Sequence, residues 1–265
     1  MKREERNRGT WNLKLNRLRG PSSDHHQNLP NHSPHSSLRI PNLKGTLYIV
    51  ATPIGNLEDI SQRALRILTE VDFIAAEDTR TTRKLLDRYN ITASLISYHN
   101  YNERERSPQL IEKLKHGSSI AVVSDAGTPG ISDPAYRVIH DAIEENIAVV
   151  AIPGPSAFLS ALIVSGAPLN SFVFEGFLPH KKGRKTELDR LAREERTIVL
   201  YESPHRLLRT LQDILGSMGD RQIVIARELT KKFEEVLRGR VSNLAVKLSG
   251  RSLKGEFVIV VHPRS

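Results

Sequence analysis

The run Ile120 to Pro134, IAVVSDAGTPGISDP, constrains this chain more than any other stretch. Four apolar residues, Ile120 to Val123, break abruptly into Ser124-Asp125-Ala126-Gly127-Thr128-Pro129-Gly130. A short apolar run bounded by Gly and Pro predicts a strand buried on both faces. The small residues after it leave backbone N–H and C=O groups as the surface a ligand would meet, with Gly127 and Gly130 permitting close approach. Asp133 is expected at the N-cap, and Pro134 at the first position, of the helix that follows, where a missing N–H costs nothing. Ligands of open α/β sheets bind outside the carboxyl ends of the strands. This loop is therefore the first candidate site.

The same alternation of strand and helix surrounds it. Apolar runs at 46–51, 73–76, 95–96 and 148–152 predict further strands, each followed by turn residues and an amphipathic stretch. Asp59 or Ser61 is expected to cap the first helix, and the helix after Pro134 is expected to bury Val138, Ile139, Ala142 and Ile143. Such alternation implies a mostly parallel sheet. After the small-residue helix 157–164, which stops at Gly166, the strands become shorter and bulkier: 172–177, 197–201, 223–226, 236–237 and 257–261. Ser203 and Pro204 are expected to open a helix carrying Leu207, Leu208, Leu211 and Ile214. The fold class is α/β with two domains, a mostly parallel sheet over 44–166 and a mixed sheet over 167–265.

Residues 1–43, rich in Arg, Asn, His, Pro and Ser without periodicity, are expected to be a disordered basic extension. They explain much of the charge: residues 1–40 hold eight Lys/Arg and three Asp/Glu, +5 of the net +9, leaving +4 on the rest. That balance permits a polyanionic partner without demanding one. The absence of cysteine excludes disulfides and thiolate chemistry, and His25, His26, His32 and His35 lack the acidic partners of a metal site, so no metal is expected. No apolar run is long enough to span a membrane, and the start lacks a secretory pattern, so an intracellular, cytoplasmic protein is expected.

The chemistry narrows by exclusion. Neither the dinucleotide fingerprint nor the P-loop spacing is present, and the Gly-x-Ser-x-Gly elbow of serine hydrolases is absent. What remains are three small-residue turns, 52–57, 125–131 and 153–157, all following strands of one parallel sheet. They can converge on one crevice. Being apolar rather than basic, they favour a ligand held by backbone hydrogen bonds over a polyphosphate.

Six motifs carry a resemblance: Thr52-Pro53-Ile54-Gly55-Asn56-Leu57, Ala76-Glu77-Asp78-Thr79-Arg80, Ser124 to Pro134, Pro153-Gly154-Pro155-Ser156-Ala157, Glu175-Gly176-Phe177-Leu178-Pro179 and Tyr201-Glu202-Ser203-Pro204-His205-Arg206. Together they resemble the tetrapyrrole methylase superfamily, and within it the branch that 2′-O-methylates a cytidine of 16S rRNA. The resemblance implies a class III methyltransferase fold with a cleft between its two domains, S-adenosylmethionine as cofactor, 16S rRNA or the small ribosomal subunit as partner, no membrane, and a homodimer. It implies cofactor contacts from Pro53, Asp125, Ala126, Gly127, Ile131, Ser156, Ala157 and Tyr201, and from Gly255 in the turn Lys254-Gly255-Glu256. Ala135 departs from the family, where Gly is usual, and many relatives continue in a helical region beyond the point where Ser265 stands.

A ribose hydroxyl needs in-line positioning and a proton acceptor. The catalytic candidates are Asp78, Arg80, His99 and Glu202, with Glu77, Asn102, Glu103, His205 and Arg227 as further polar residues in or near family-like motifs. Asp78 and Arg80 also read as a structural ion pair. Lys181, Lys182, Arg184 and Lys185, the densest basic run outside the tail, are the expected RNA-phosphate contacts or else a solvated loop. Two competing readings stand beside ribose methylation: methylation of a tetrapyrrole or other small acceptor, and a noncatalytic rRNA-binding assembly protein.

Overall fold

The computed structural model describes residues 45–264; the expected extension lies outside them. The first half is a five-stranded sheet in the order β3-β2-β4-β1-β5, from Leu95–Ser97 (β3), Phe73–Ala76 (β2), Ile120–Val123 (β4), Thr46–Val50 (β1) and Ala148–Ile152 (β5). All its pairings are parallel. Helices Gln62–Glu70 (α1), Thr79–Arg88 (α2), Glu103–Lys115 (α3) and Tyr136–Glu144 (α4) connect the strands. The fully buried β4 explains the unbroken apolar run, because both sheet faces carry core: Leu47, Leu110, Leu114, Ile120 and Val138 on one side, Ile67, Leu68, Ile74, Leu86 and Ala121 on the other. The strand order sets the carboxyl ends of β4 and β1 side by side, flanked by β2 and β5.

The second half is a mixed sheet, β6-β7-β10-β8-β9: Phe172–Phe177, Thr197–Glu202, Phe257–Val261, Gln222–Arg227 and Glu235–Arg240. β6 and β7 are parallel and the other pairings antiparallel. Arg184–Leu191 (α6), Leu207–Met218 (α7) and Val241–Leu248 (α8) cover one face over Ile198, Leu200, Ile225 and Ile259. Ala157–Ser165 (α5) covers the other, with Ala161 and Leu162 against Val199, Val224, Val258 and Val260. The division expected at residue 166 therefore falls after a helix whose packing belongs to the second sheet, and the described residues form one compact unit.

One local expectation holds and three are corrected. Ser61 is the cap of α1, accepting from Ala64 N–H at 3.1 Å. The Asp133-Pro134 pair, however, does not open α4, which begins at Tyr136 after a turn through Pro134 and Ala135. Ser203-Pro204 likewise forms a turn, with the Ser203 carbonyl accepting from the N–H groups of both Arg206 and Leu207, and α7 begins at Leu207. Ile143 is exposed, since α4 buries Val138 and Ala142 instead.

One contact ties the two halves directly. β6 bulges between Phe174 and Gly176, where Gly176 takes φ +69°. A β-carbon there would stand 2.8 Å from the Ser132 hydroxyl, itself held at φ +67° beside Asp133. Gly176→Ala is expected to carry a left-handed penalty of about 1–2 kcal/mol, with the Ser132 hydroxyl forced to rotate away from the new methyl. A lowered urea midpoint and weakened ligand binding would check this; an unchanged midpoint would contradict it.

Candidate active site

Backbone hydrogen bonds assemble the site. Thr52 N–H donates to the Gly127 carbonyl at 2.8 Å, and Gly127 N–H returns a bond to the Thr52 carbonyl at 3.0 Å. The Thr52 hydroxyl donates to the Ser124 carbonyl at 3.0 Å, and Thr128 reaches the Pro155 carbonyl at 3.4 Å. Gly127 takes φ +81°, a left-handed conformation suited to glycine. The loops after β1, β4 and β5 thus meet, as the sequence led one to expect. The loop after β2 joins them: Asp125 N–H donates to Glu77 Oε2 at 3.2 Å and Asp78 N–H to Asp125 Oδ1 at 3.1 Å.

These loops form one wall of a cavity of about 340 Å³, within the ~300–1,000 Å³ of small-molecule sites. That wall comprises Ile54, Glu77, Asp125 to Thr128, Ile131 to Asp133, Ser156 and Ala157. Phe177, Tyr201 to Pro204 and Gly255 to Val258 supply the opposite wall. Tyr201 spans the seam: its phenol oxygen accepts from Phe158 N–H in the first turn of α5 at 3.2 Å. Its ring is fixed against Phe174 and Phe177, with centroids 5.1 and 5.5 Å away. Lys231 steadies the 254–256 turn, binding Glu228 and Glu256 at 2.9 Å each, and Arg227 donates to the Lys254 carbonyl at 2.8 Å.

The cavity is electronegative. Burial pushes the Asp133 carboxyl up to about 7, Glu77's charge adds to the shift, and the nearby Ser124 hydroxyl draws it back. Burial also raises Glu77 and Asp125, with Asp125's charge adding at Glu77 and Asp78's at Asp125. Carboxylates crowded where water is scarce resist ionisation together. A cationic ligand would relieve that cost.

Eight of the nine residues expected to hold a cofactor line the cavity, from Asp125, Ala126, Gly127 and Ile131 to Ser156, Ala157, Tyr201 and Gly255. Pro53 does not; it is buried, and Ile54 takes the place on the wall. The catalytic candidates separate. Asp78 caps α2 and pairs with Arg80 at 2.7 Å, and that hydrogen bond holds its carboxyl down to about 2, too weak a base to take a proton near neutrality. Glu202 is enclosed, accepting from Ser203 N–H at 2.7 Å, Arg206 Nε at 2.8 Å and Thr210 Oγ1 at 2.6 Å. It anchors the entry to α7. His99 lies at the end of β3, its Nδ1 without a hydrogen-bond partner among the described residues.

The expected basic surface is smaller than its sequence. Arg184 is buried against Asp213 at 2.8 Å, Thr210 at 2.7 Å and the Pro179 carbonyl at 3.1 Å, and so holds α6 to α7 rather than meeting solvent. Lys185 pairs with Asp189 at 2.8 Å, while Lys181 and Lys182 are exposed. Sequence reasoning missed Asp133, whose place before Pro134 is also that of a helix cap, and Phe177, whose alternation suited any strand. Among the described residues no group of acidic or histidine side chains is arranged to hold a metal, and no helix is long and apolar enough to cross a membrane.

A parallel sheet and a mixed sheet enclosing one cleft define the class III methyltransferase architecture. Uroporphyrin-III C-methyl transferase from Thermus thermophilus, crystallised in complex with S-adenyl homocysteine, shares this fold with a TM-score of 0.59 at 16% identity, over 82% of this chain and 97% of that one. Residues 46–245 match the family model of Tetrapyrrole (Corrin/Porphyrin) Methylases. The chain is 51% identical to Ribosomal RNA small subunit methyltransferase I of Halalkalibacterium halodurans, over 82% of this chain and 76% of the relative. It is 49% identical to the protein of that name from Thermotoga maritima, over 82% of this chain and 98% of the relative. The chain belongs to the tetrapyrrole methylases and, within them, to the ribosomal RNA small subunit methyltransferase I family.

The Asp133 shift has a measurable sign. Its folded pKa of about 7 exceeds its ordinary 3.8, so the folded chain holds this proton longer than the unfolded one. The stability it contributes is intact below pH about 4 and lost as pH rises through about 7. Asp133→Asn is expected to melt higher, relative to the parent, at pH 7.5 than at pH 4 when no ligand is bound. A melting difference that does not change with pH would contradict this.

Proposed function

We propose that this chain transfers a methyl group from S-adenosylmethionine to the 2′-hydroxyl of a cytidine ribose in small-subunit ribosomal RNA. The observation that carries the reading is an electronegative cavity built by both halves of a chain 51% identical to a ribosomal RNA methyltransferase. S-adenosylmethionine, a cation, supplies an electrophilic sulfonium methyl when bound. Asp125, Asp133 and Glu77 match its charge, the backbone of 125–128 and 156–157 offers hydrogen-bonding groups beside it, and Ile54, Ile131, Phe177 and Tyr201 supply apolar surface. For function, residues 44–166 and 167–265 act as the two halves around this cleft.

The transfer needs an acceptor for the hydroxyl proton. Asp133 suits that role better than Glu202, which is enclosed, or Asp78, which is strongly acidic. A bound cation favours Asp133 as carboxylate. As the positive charge is discharged, its proton affinity rises back toward a pKa of about 7, which matches a general base at neutral pH. Charge in the cavity is balanced before and after: a carboxylate facing a cation becomes a carboxylic acid beside a neutral product.

The test is transfer of labelled methyl to purified small subunits, naked 16S rRNA and a tetrapyrrole acceptor. Label is expected at a cytidine 2′-oxygen. Asp133→Asn should lower kcat by about 10²–10⁴-fold while retaining measurable cofactor binding. Label on the tetrapyrrole alone, or on nothing despite cofactor binding, would contradict the reading.

The proposal extends to a cytoplasmic homodimer, where a ribosomal substrate would be met. Support comes from α5, apolar nearly all round, which leaves Leu159, Ile163 and Val164 exposed with Leu169 just after it. Neighbouring exposed apolar residues of this kind mark association surfaces. Ile163→Glu is expected to shift the protein from dimer to monomer in sedimentation analysis; a parent that sediments as a monomer would contradict the dimer.

A further inference from the structure

The rim of the cavity continues along the carboxyl edge of the parallel sheet, past β2 to β3, where the proposed chemistry leaves the side chains unassigned. Glu77 lines the cavity at the end of β2 and is near enough to His99, at the end of β3, to feel its charge. The His99 ring meets Tyr101 edge-on with centroids 6.0 Å apart, and Tyr101 is 98% exposed. Three residues after the cavity-lining Asp133, Tyr136 is 75% exposed and leans on His140 with centroids 5.9 Å apart.

The two tyrosines belong to one surface. α3 and α4 pack together, Arg137 Nε lies 3.7 Å from Glu103 Oε1, and Glu103 N–H donates to the His99 carbonyl at 2.9 Å. The start of α4 is thereby held against the turn that carries Tyr101. Their neighbour Tyr98 shows the contrast: it is buried, with its hydroxyl 3.1 Å from Ser107. Tyr101 and Tyr136 expose their rings instead and add little to the core. The exposed Arg104 supplies a cation at the same edge, next to the Arg80–Asp78 ion pair.

We propose that Tyr101 and Tyr136 are a stacking platform for unpaired bases flanking the acceptor nucleotide of a single-stranded RNA segment. The inference rests on the ribose-methylation reading and adds the subsite that presents the substrate. Sequence-selective proteins take RNA from loops and ends, splaying unstacked bases onto aromatic side chains. An aromatic face accepts any base, and nearby arginines track the phosphates. A platform beside the cavity would place the ribose of the acceptor at its mouth.

The test measures fluorescence anisotropy of two labelled probes, a short cytidine-containing single-stranded segment of 16S rRNA and its duplex. The proteins are the full chain, Tyr101→Ala, Tyr136→Ala, the double variant, and the Tyr101→Phe/Tyr136→Phe pair, which keeps the rings. Both sites are exposed, so folding is not at stake, and S-adenosylmethionine binding by calorimetry should be unchanged. Each Ala change should weaken single-strand binding about tenfold and leave duplex binding nearly unaltered, while the Phe pair stays close to the parent. Parental single-strand affinity in the double Ala variant would overturn the platform, as would an equal loss on the duplex. If the double variant methylates small subunits with the parent's KM, the platform alone fails. If the parent binds neither probe and methylates no RNA, the underlying reading fails with it.

Discussion

Everything at the cleft depends on two backbone hydrogen bonds between Thr52 and Gly127. They close the gap between the ends of β1 and β4, which the strand order places side by side. Each is worth only about 1 kcal/mol net, but together they fix where the small-residue loops meet. Asp125 then reaches Glu77 and Asp78, and Thr128 reaches Pro155, so that four loops act as one rigid wall. The wall consists largely of backbone and short side chains. That is why it can approach a ligand closely.

The second sheet turns this wall into a cavity. Tyr201 accepts the Phe158 amide across the seam, and Gly176 lets Ser132 pass without a clash. Enclosure has an electrostatic consequence: Asp133, Glu77 and Asp125 lose water and become reluctant to ionise. A site that destabilises its own carboxylates favours a positively charged ligand, and under the proposed function binding and proton transfer would share that one cause. Beyond Glu77, His99 and Tyr101 lie farther along the same sheet edge.

Much of the fold was legible in the sequence because parallel strands announce themselves. Ile120 to Val123 and Phe73 to Ala76 are short apolar runs cut off by Gly, Pro or charge, and Ser61 caps as its hydroxyl predicts. The cavity-lining loops were legible for the same reason: small residues at strand ends leave backbone open to whatever approaches them. The cap rules failed where a polar residue before proline served a turn. At Asp133-Pro134 the chain turns through Pro134 and Ala135 before α4 starts at Tyr136, and at Ser203-Pro204 one carbonyl accepts two amides before α7 starts. Side-chain roles were harder still. Arg184 read as a surface cation within a basic run, yet Asp213 and Thr210, some 26–29 residues away, draw it into the interior. Glu202, expected among the catalytic residues, is instead taken up by Ser203, Arg206 and Thr210 within the next eight residues, at the entry to a helix whose start was misplaced. Long-range partners such as those of Arg184 leave no local pattern.

If both halves of the chain close on one small cationic molecule, hydrogen exchange with and without S-adenosylmethionine will show it: exchange should slow together in the loops 52–57, 125–133 and 153–158 and in the 254–258 turn across the cleft. Protection confined to one half, or a bound cofactor that leaves the 125–133 loop unprotected, would contradict it.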